Sequence, residues 1–383
     1  MVSQASSLLA ETFREYFGAI EDPRARDGDH DLFDVLFLSV CATIAGADGP
    51  SDIEDFGHDQ LGWIRKFIRL RNGVPSHDTI GRLLSLIKPM EFQEAFLGWI
   101  ASFKMVSQED DQLTLIPIDG KTLRNSGTES NKPLHLVSAW ATEHGLSLGQ
   151  VAVEQKSNEI TAIPQLLKML ELRGSLVTID AMGCQKEIAK QIVQDGGDYC
   201  LAVKENQPTL HDSIEAFFDD AGEDDFRKNE CDCWATDEVS RGRTEHRSYV
   251  VAPVTDEMSK TFKGWKGLES IGRTISMVER DGKETVETRY YILSNAISAK
   301  QFGKAVRGHW GIESMHWILD LTFKEDASQI TKGHGPENYQ SQLRTSHFRR
   351  GGKQVPCTWY PARKQVPCTW YPASKMRIGD TSR

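Results

Sequence analysis

The chain lacks any apolar run of about 18 residues, the length a membrane-spanning helix needs, and Met1 to Glu11 lacks the basic stretch and apolar block of an export signal. These absences predict a cytoplasmic protein with no membrane partner. Cysteine is sparse and unpatterned. The seven, at 41, 184, 200, 231, 233, 357 and 368, are odd in number and scattered, which argues against a disulfide framework. Cys231-Asp232-Cys233 has no second pair at zinc-ribbon spacing, so a four-ligand structural zinc site is not expected. An excess of basic charge is missing too. With 45 Lys and Arg against 55 Asp and Glu the formal charge is −10, which excludes a protein that coats nucleic acid with a uniformly basic surface. The acids cluster at Glu21 to Asp34, Asp48 to Asp59 and Asp219 to Asp225, which leaves room for a locally basic groove elsewhere.

What is present is 383 residues with 39% apolar content, enough core for two or three domains. Residues 1–108 read as an N-terminal helical domain. Leu32 to Ile44 is apolar nearly all round, as in a helix buried in a bundle, and Ile80, Leu83, Leu84 and Ile87 recur at helical spacing before Pro89. No recognition helix can be assigned, so DNA-end binding and a plain helical bundle both stand open for it.

From residue 112 the pattern changes. Leu113–Ile118, Leu134–Ala141 and Leu146–Val153 read as an antiparallel meander, with Glu143-His144-Gly145 as a tight turn. Helix-periodic Ile160 to Leu172, strand Leu176–Ile179, amphipathic Gln185 to Gln194, strand Tyr199–Val203 and helical Pro208 to Phe218 then alternate, which calls for parallel pairing. Three antiparallel strands followed by βαβα is the ribonuclease-H-like order, a mixed-sheet α/β core in which strands one and four are neighbours. Residues 220–290 interrupt it with β-rich runs at Ser248–Val254, Leu268–Glu279 and Glu287–Leu293, read as an inserted β subdomain. Ala299 to Leu321 returns to helix.

Three acids sit where an acid is awkward. Asp119 ends the apolar run Leu113 to Ile118, Asp180 ends Ser175 to Ile179, and Glu313 lies in the aromatic helix Arg307 to Trp317. A carboxylate at the end of a buried strand costs desolvation free energy that a divalent cation relieves, so the pattern points to a metal-dependent enzyme acting on phosphodiesters. In the ribonuclease-H-like order Asp119 and Asp180 leave the same end of the sheet, where open α/β sheets build their sites. Other readings stand beside this one. Asp180 before Ala-Met-Gly is also a good helix cap. Glu313 with His316 fits one half of a di-iron motif, whose second copy is missing. Trp310 and Trp317 serve as core packing or as base-stacking platforms. Lys121 and Arg124 beyond the first acid, Lys204 with Asn206 and Gln207, Arg241 and Arg243, and Arg307, His309 and Trp310 on the last helix are candidates to meet DNA.

At these residues the chain resembles the H-repeat-associated (ISAs group) transposases, which are bacterial insertion-sequence DDE transposases. The likeness is carried by Ile116–Arg124 (IPIDGKTLR), Glu154–Pro164 (EQKSNEITAIP), Thr178–Ala189 (TIDAMGCQKEIA), Gly196–Gln207 (GGDYCLAVKENQ), Trp265–Ser270 (WKGLES) and Arg307–Ser328, and runs from about residue 12 to 338. It implies a catalytic core over 109–338 with its β insertion before the last acid, with Asp119, Asp180 and Glu313 as the metal-binding acids. It also implies two Mg2+ or Mn2+ ions, DNA partners in the terminal inverted repeats and the target, a homodimer assembled on DNA, and association with the nucleoid. A general metal-dependent nuclease and a decayed copy that binds without cutting are the alternatives.

The C-terminus departs from that pattern. Lys353–Ala362 recurs unchanged as Lys364–Ala373, and its prolines forbid a supercoiled helix. Residues 339–383 are therefore expected to form an atypical, disordered tail where the family would have an apolar helix, consistent with a shifted reading frame.

Overall fold

The computed structural model describes residues 4–26, 28–104, 114–123, 133–142, 146–153, 159–223, 230–240, 242–322, 330 and 332–346. Helices come first: α1 (Gln4–Phe17), α2 (Leu32–Ala45), α3 (Pro50–Asp59), α4 (Leu61–Ile64), α5 (His77–Leu86) and α6 (Pro89–Lys104). Asp31 caps α2 by accepting the Phe33 N–H at 2.8 Å, and Gly46, at φ 102°, closes it in the left-handed region that glycine tolerates. α2 is apolar all round because it is the rod of a bundle. Phe13 lies edge-on to Phe37 at 5.2 Å and to Trp99 at 5.0 Å, and Phe17 meets Phe92 at 5.6 Å. Among the described residues no single helix is long and apolar enough to cross a membrane.

The remaining elements are β1 (Thr114–Thr122), β2 (His135–Ala141), β3 (Leu146–Val153), α7 (Glu159–Leu167), β4 (Ser175–Ile179), α8 (Lys186–Gln194), β5 (Asp198–Val203), α9 (Pro208–Glu223), β6 (Asp232–Ser240), β7 (Arg243–Pro253), α10 (Asp256–Thr261), β8 (Ser270–Arg280), β9 (Lys283–Leu293), α11 (Ala299–Thr322) and α12 (Gly335–Ser346). The strands form one nine-stranded sheet in the order β3-β2-β1-β4-β5-β9-β8-β7-β6. β1, β2 and β3 pair antiparallel, while β1, β4 and β5 run parallel, so the mixed α/β sheet and the neighbouring of strands one and four are as expected. Alternation divides the side chains. Ile116, Ile118, Val177 and Ile179 point into the core under α7 and α8, and Leu176 points to the opposite layer with Phe302, Ala305 and Val306 of α11.

Two sequence expectations need correction. The strands expected as an inserted subdomain extend the core sheet instead. β9 pairs antiparallel with β5, from Cys200 opposite Leu293 to Val203 opposite Tyr290. Without β9, β5 would leave a row of backbone donors and acceptors open at a sheet edge. β6, over Asp232–Ser240, was not read from the sequence, because its residues alternate polar types on an outer strand. The second correction concerns the tail. Residues 335–346 are helix α12, with Asn338, Tyr339, Gln340, Gln342 and Leu343 all buried. An apolar period missed this helix because amides close half of its buried face: Asn338 donates to the carbonyls of Leu84 and Ile87, both at 2.8 Å, and Gln342 accepts from Thr43 at 3.1 Å. The repeats at 353–373, Glu143-His144-Gly145 and residues 347–383 lie outside the described residues.

Tyr339 is 1% exposed and its hydroxyl donates to the Ala47 carbonyl at 2.7 Å. Tyr339→Ala should lower the unfolding free energy by about 3–5 kcal/mol, read as a thermal midpoint lower by roughly 10 °C. A midpoint within a degree or so of the parent protein would mean that α12 is not seated on the helical bundle.

Candidate active site

The first two acids owe their position to strand register. Ile118 opposite Ile179 is the last parallel pair of β1 and β4, so Asp119 and Asp180 follow side by side, both on the sheet face that α11 covers. β1 does not end at Asp119. It continues against β2 to Thr122, and the aspartate therefore projects from within a strand. Asp180 does act as a cap: its Oδ1 accepts the N–H groups of Met182 at 3.1 Å and Gly183 at 3.4 Å in the 3-10 turn Ala181–Gly183. Both bonds use one carboxylate oxygen, so capping and a role in the cleft are compatible. The turn is braced by Asn206, donating to the Ala181 carbonyl at 2.6 Å, and by Gln207, donating to the Cys184 carbonyl at 2.9 Å.

The third acid depends on how closely α11 approaches. A Cβ on Gly308 would lie 2.0 Å from Leu115 Cδ2, so glycine there lets the helix rest directly on β1. Residues 309, 313, 316 and 320 share one side of α11. His309 Nδ1 hydrogen-bonds with Thr178 Oγ1 of β4 at 2.9 Å, His316 Nδ1 lies 3.7 Å from Asp119 Oδ2, and Asp320 pairs with Lys121 of β1. These contacts fix the rotation of the helix and turn Glu313 toward the two aspartates.

Asp119, Asp180 and Glu313 thus line one cleft of 970 Å³, together with Lys204, Asn206, His309 and Trp310. The other candidates are placed elsewhere. Lys121 is committed to Asp320, Arg307 to Glu238 of β6, and Arg243 to Glu245 at the far end of β7, and none of the three lines the cleft. Asn206 is only partly available, since its amide holds the Asp180 turn. Arg124 and Arg241 lie outside the described residues. Two guanidinium groups lie over the Trp310 ring, Arg289 at 5.3 Å and Arg247 at 5.6 Å from its centre, whereas Trp317 is 64% exposed and is not core packing.

Sequence reading missed Arg289, a cleft residue on β9 held by Glu287 through bonds of 2.8 and 3.0 Å. The signal was faint, an acid and a base two apart on a strand. It also missed a buried chain behind Asp119: Thr122 Oγ1 lies 2.7 Å from His135 Nδ1, and His135 Nε2 lies 2.6 Å from Glu159 Oε1. Gly120 leaves room for it, since a Cβ there would meet Glu159 Oε1 at 2.5 Å.

Charge is concentrated in the cleft. Burial, reinforced by Asp180, Glu159 and Glu313 and opposed by the Gly120 N–H, pushes the Asp119 carboxyl up to about 6. Burial pushes the His309 imidazole down to about 4, against the pull of Asp180, so the ring is neutral near pH 7. Hard oxygen donors crowded in this way suit Mg2+ or Mn2+. Among the described residues, ligand atoms within 4.8 Å of one another occur instead at His211, Asp212 and Glu215 on α9, a half-exposed to exposed group. The acid trio is more open than that.

Comparison with known proteins points to one family. The model of the transposase DDE domain matches residues 111–339, and that of the DDE_Tnp_1-associated domain matches 14–100. The provisionally named transposase YncI of Escherichia coli O157:H7 is 42% identical over 334 residues, covering 85% of this chain and 84% of YncI. The provisionally named H repeat-associated transposase YhhI of Escherichia coli strain K12 is 40% identical over 316 residues, 81% of this chain and 82% of its own. A solved piggyBac transposase synaptic complex with hairpin DNA is 9% identical with a TM-score of 0.38, covering 88% of this chain and 70% of that one, too slight a likeness to bear on the fold. The chain belongs to the DDE transposase family, among relatives named for the H repeat.

A carboxyl raised by folding adds stability that is fully present below its unfolded pKa and lost as pH rises through the folded value. With Asp119 raised to about 6, Asp119→Asn in metal-free buffer should be more stable than the parent protein at pH 8, by at most about 3 kcal/mol, and equal to it below pH 4. Thermal melts in EDTA across that range check the sign. A variant less stable at pH 8 would show that Asp119 is not under electrostatic strain.

Proposed function

We propose that this chain is the transposase of an insertion sequence, breaking and rejoining phosphodiester bonds at the element's ends, with Asp119, Asp180 and Glu313 as the acids that hold its metal. The observation that supports this most directly is the meeting of the three acids in one cleft, with the Asp119 carboxyl raised to about 6 by burial and by its acidic neighbours. Excess negative charge at that point favours bound cations. An open trio suits two ions better than one, since paired ions in such sites stand roughly 3.5–4 Å apart. When bound, Mg2+ or Mn2+ would lower the pKa of the attacking water or 3′-hydroxyl and offset charge on the departing oxygen.

The chain's own residues do the rest. Asp180 keeps one oxygen on its turn and presents the other, and His316 beside Asp119 orients that carboxylate. Lys204 on the cleft wall would meet a phosphate beside the broken bond. The partners in this reading are the terminal repeats and target DNA, with two copies of the chain assembled on them in the bacterial nucleoid. Residues 1–108 and 109–338 would act as a helical, end-associated domain and a ribonuclease-H-like catalytic core.

Asp119→Asn, Asp180→Asn and Glu313→Gln should each abolish nicking of terminal-repeat DNA in Mg2+, a loss of several kcal/mol in barrier or about a thousandfold or more in rate, while remaining folded by circular dichroism. Any one of them cutting at the parent rate would remove that residue from the metal site. Lys204→Ala should instead weaken DNA binding and flatten its dependence on salt by about one phosphate contact. An unchanged salt slope would leave Lys204 as a solvated surface charge.

A further inference from the structure

Between Asp59 and Asp78 the chain carries no acid, yet Arg65, Lys66, Arg69 and Arg71 fall within seven residues, directly after the acids Asp48, Asp52, Glu54, Asp55 and Asp59. All four cations are exposed, and none has an ion pair or side-chain hydrogen bond among the described residues. By contrast, four arginines of the sheet and α11, Arg243, Arg247, Arg289 and Arg307, are each held by a glutamate.

The segment is held firmly. Ile64, Ile68 and Leu70 are 0%, 3% and 1% exposed, and Phe67 packs 5.0 Å from Trp63 and 5.9 Å from Phe37 of α2. Leu70 has a left-handed backbone, φ 42°, which costs a residue with a Cβ about 1–2 kcal/mol. The buried Asp34 carboxylate holds that turn by accepting the Leu70 N–H at 2.8 Å, and Asn72 ties the end of the turn to the Asp29 carbonyl. With Leu70 locked inward, Arg69 and Arg71 emerge on either side of it. Three of the four acids that share a hollow with Arg69 and Arg71 have other tasks: Asp31 caps α2, Asp34 holds Leu70, and Asp22 pairs with Arg24.

We propose that Arg65, Lys66, Arg69 and Arg71 form a docking surface for the phosphate backbone of duplex DNA, separate from the acid cleft and indifferent to base sequence. The proposal rests on the transposase reading for its partner class and goes beyond it in assigning a site. Duplex DNA carries one charge per roughly 1.7 Å of axis, so a rigid cluster of free cations meets several phosphates at once and releases their counterions. On a chain of charge −10, binding of a polyanion depends on such a local concentration. A lipid surface fits poorly, because Ile64, Ile68 and Leu70 are buried and Leu61, Trp63 and Phe67 pack against the bundle core, so the segment presents no fully exposed apolar side chain to a bilayer.

The test uses the full chain and a fluorescein-labelled duplex of mixed sequence. Arg65→Ala, Lys66→Ala, Arg69→Ala and Arg71→Ala are combined in one variant, and a control variant combines Lys168→Ala, Lys300→Ala, Lys304→Ala and Lys332→Ala, four cations also exposed but scattered. Anisotropy titrations between about 50 and 200 mM salt should show the patch variant losing about 3–4 from the slope of log affinity on log salt, so that the parent's fall in affinity across that range exceeds the variant's by about 100-fold. The control should keep most of the parent slope, and both variants should melt as the parent does. A patch variant with the parent slope, or a control that loses as much, overturns the proposal while parent nicking of DNA leaves the transposase reading intact. Parent protein that neither binds the duplex with salt dependence nor nicks DNA overturns both. Poly-glutamate displacing the duplex from the parent more effectively than unlabelled duplex does would assign the patch to acidic polypeptides and overturn it as well.

Discussion

The contact between α11 and β1 is the constraint on which the rest of the cleft depends. Two of the acids are set by the parallel register of β1 and β4 and would stand together in any protein with that pairing. Glu313 comes from a helix more than a hundred residues later in the chain, and nothing in sheet geometry alone would bring it near. Gly308 removes the one side chain that would prop the helix away from Leu115, and the His309–Thr178, His316–Asp119 and Asp320–Lys121 contacts fix how it is turned. A helix rotated by one residue would swing Glu313 by about 100° out of the cleft. The polar stripe on α11 is thus a positioning device, and residues such as Lys121 that looked suited to DNA are spent on it.

The cleft is kept at a cost in stability. Burial is the larger part of that cost for Asp119, and repulsion from Asp180, Glu159 and Glu313 adds to it. The sheet does not relieve this from behind. The Glu159 carboxylate on the opposite side of β1 is bound to His135, which turns one of its oxygens away, yet it still raises Asp119 along with the acids of the cleft. Cores that repay such strain need large apolar area, and here a single sheet with helices on both faces supplies it. Closing β9 onto β5 extends that area without a break, which explains why the late strands join the main sheet and do not form a body of their own.

Much of this was legible in the chain. Apolar runs bounded by turn signals marked the strands up to β5, their alternation with helices called for the parallel pairing, and from these the meeting of Asp119 with Asp180 followed. The acids stood out because each interrupts an apolar pattern. What could not be read were features that rely on partners remote in sequence. β6 has no apolar alternation of its own and is recognisable only by its register with β7. Arg289 becomes a wall of the cleft only when β9 is laid beside β5. Lys121 and Arg307 read as free cations until α11 and β6 supply Asp320 and Glu238. α12 was obscured for a different reason, since its buried face is closed by amides whose partners lie some 250 residues earlier, Asn338 to Leu84 being 254 apart.

Those amides have a consequence for how the two ends of the chain work together. Asn338 donates to carbonyls at the C-terminal end of α5, where the helix has no N–H donors of its own left to meet them. Gln150 of β3 joins the same junction from the sheet, exchanging bonds of 2.9 Å with Gln93 of α6 and donating to the Glu337 carbonyl at 3.0 Å and to Ser341 at 2.9 Å. Apolar packing alone tolerates sliding, whereas buried amides lose about 1–3 kcal/mol for each partner left unmade. The helical bundle is therefore registered against the edge of the sheet, and a duplex resting on the bundle would be held at a set position relative to the acids. Precision at the cleft then begins with glutamines and asparagines far from it.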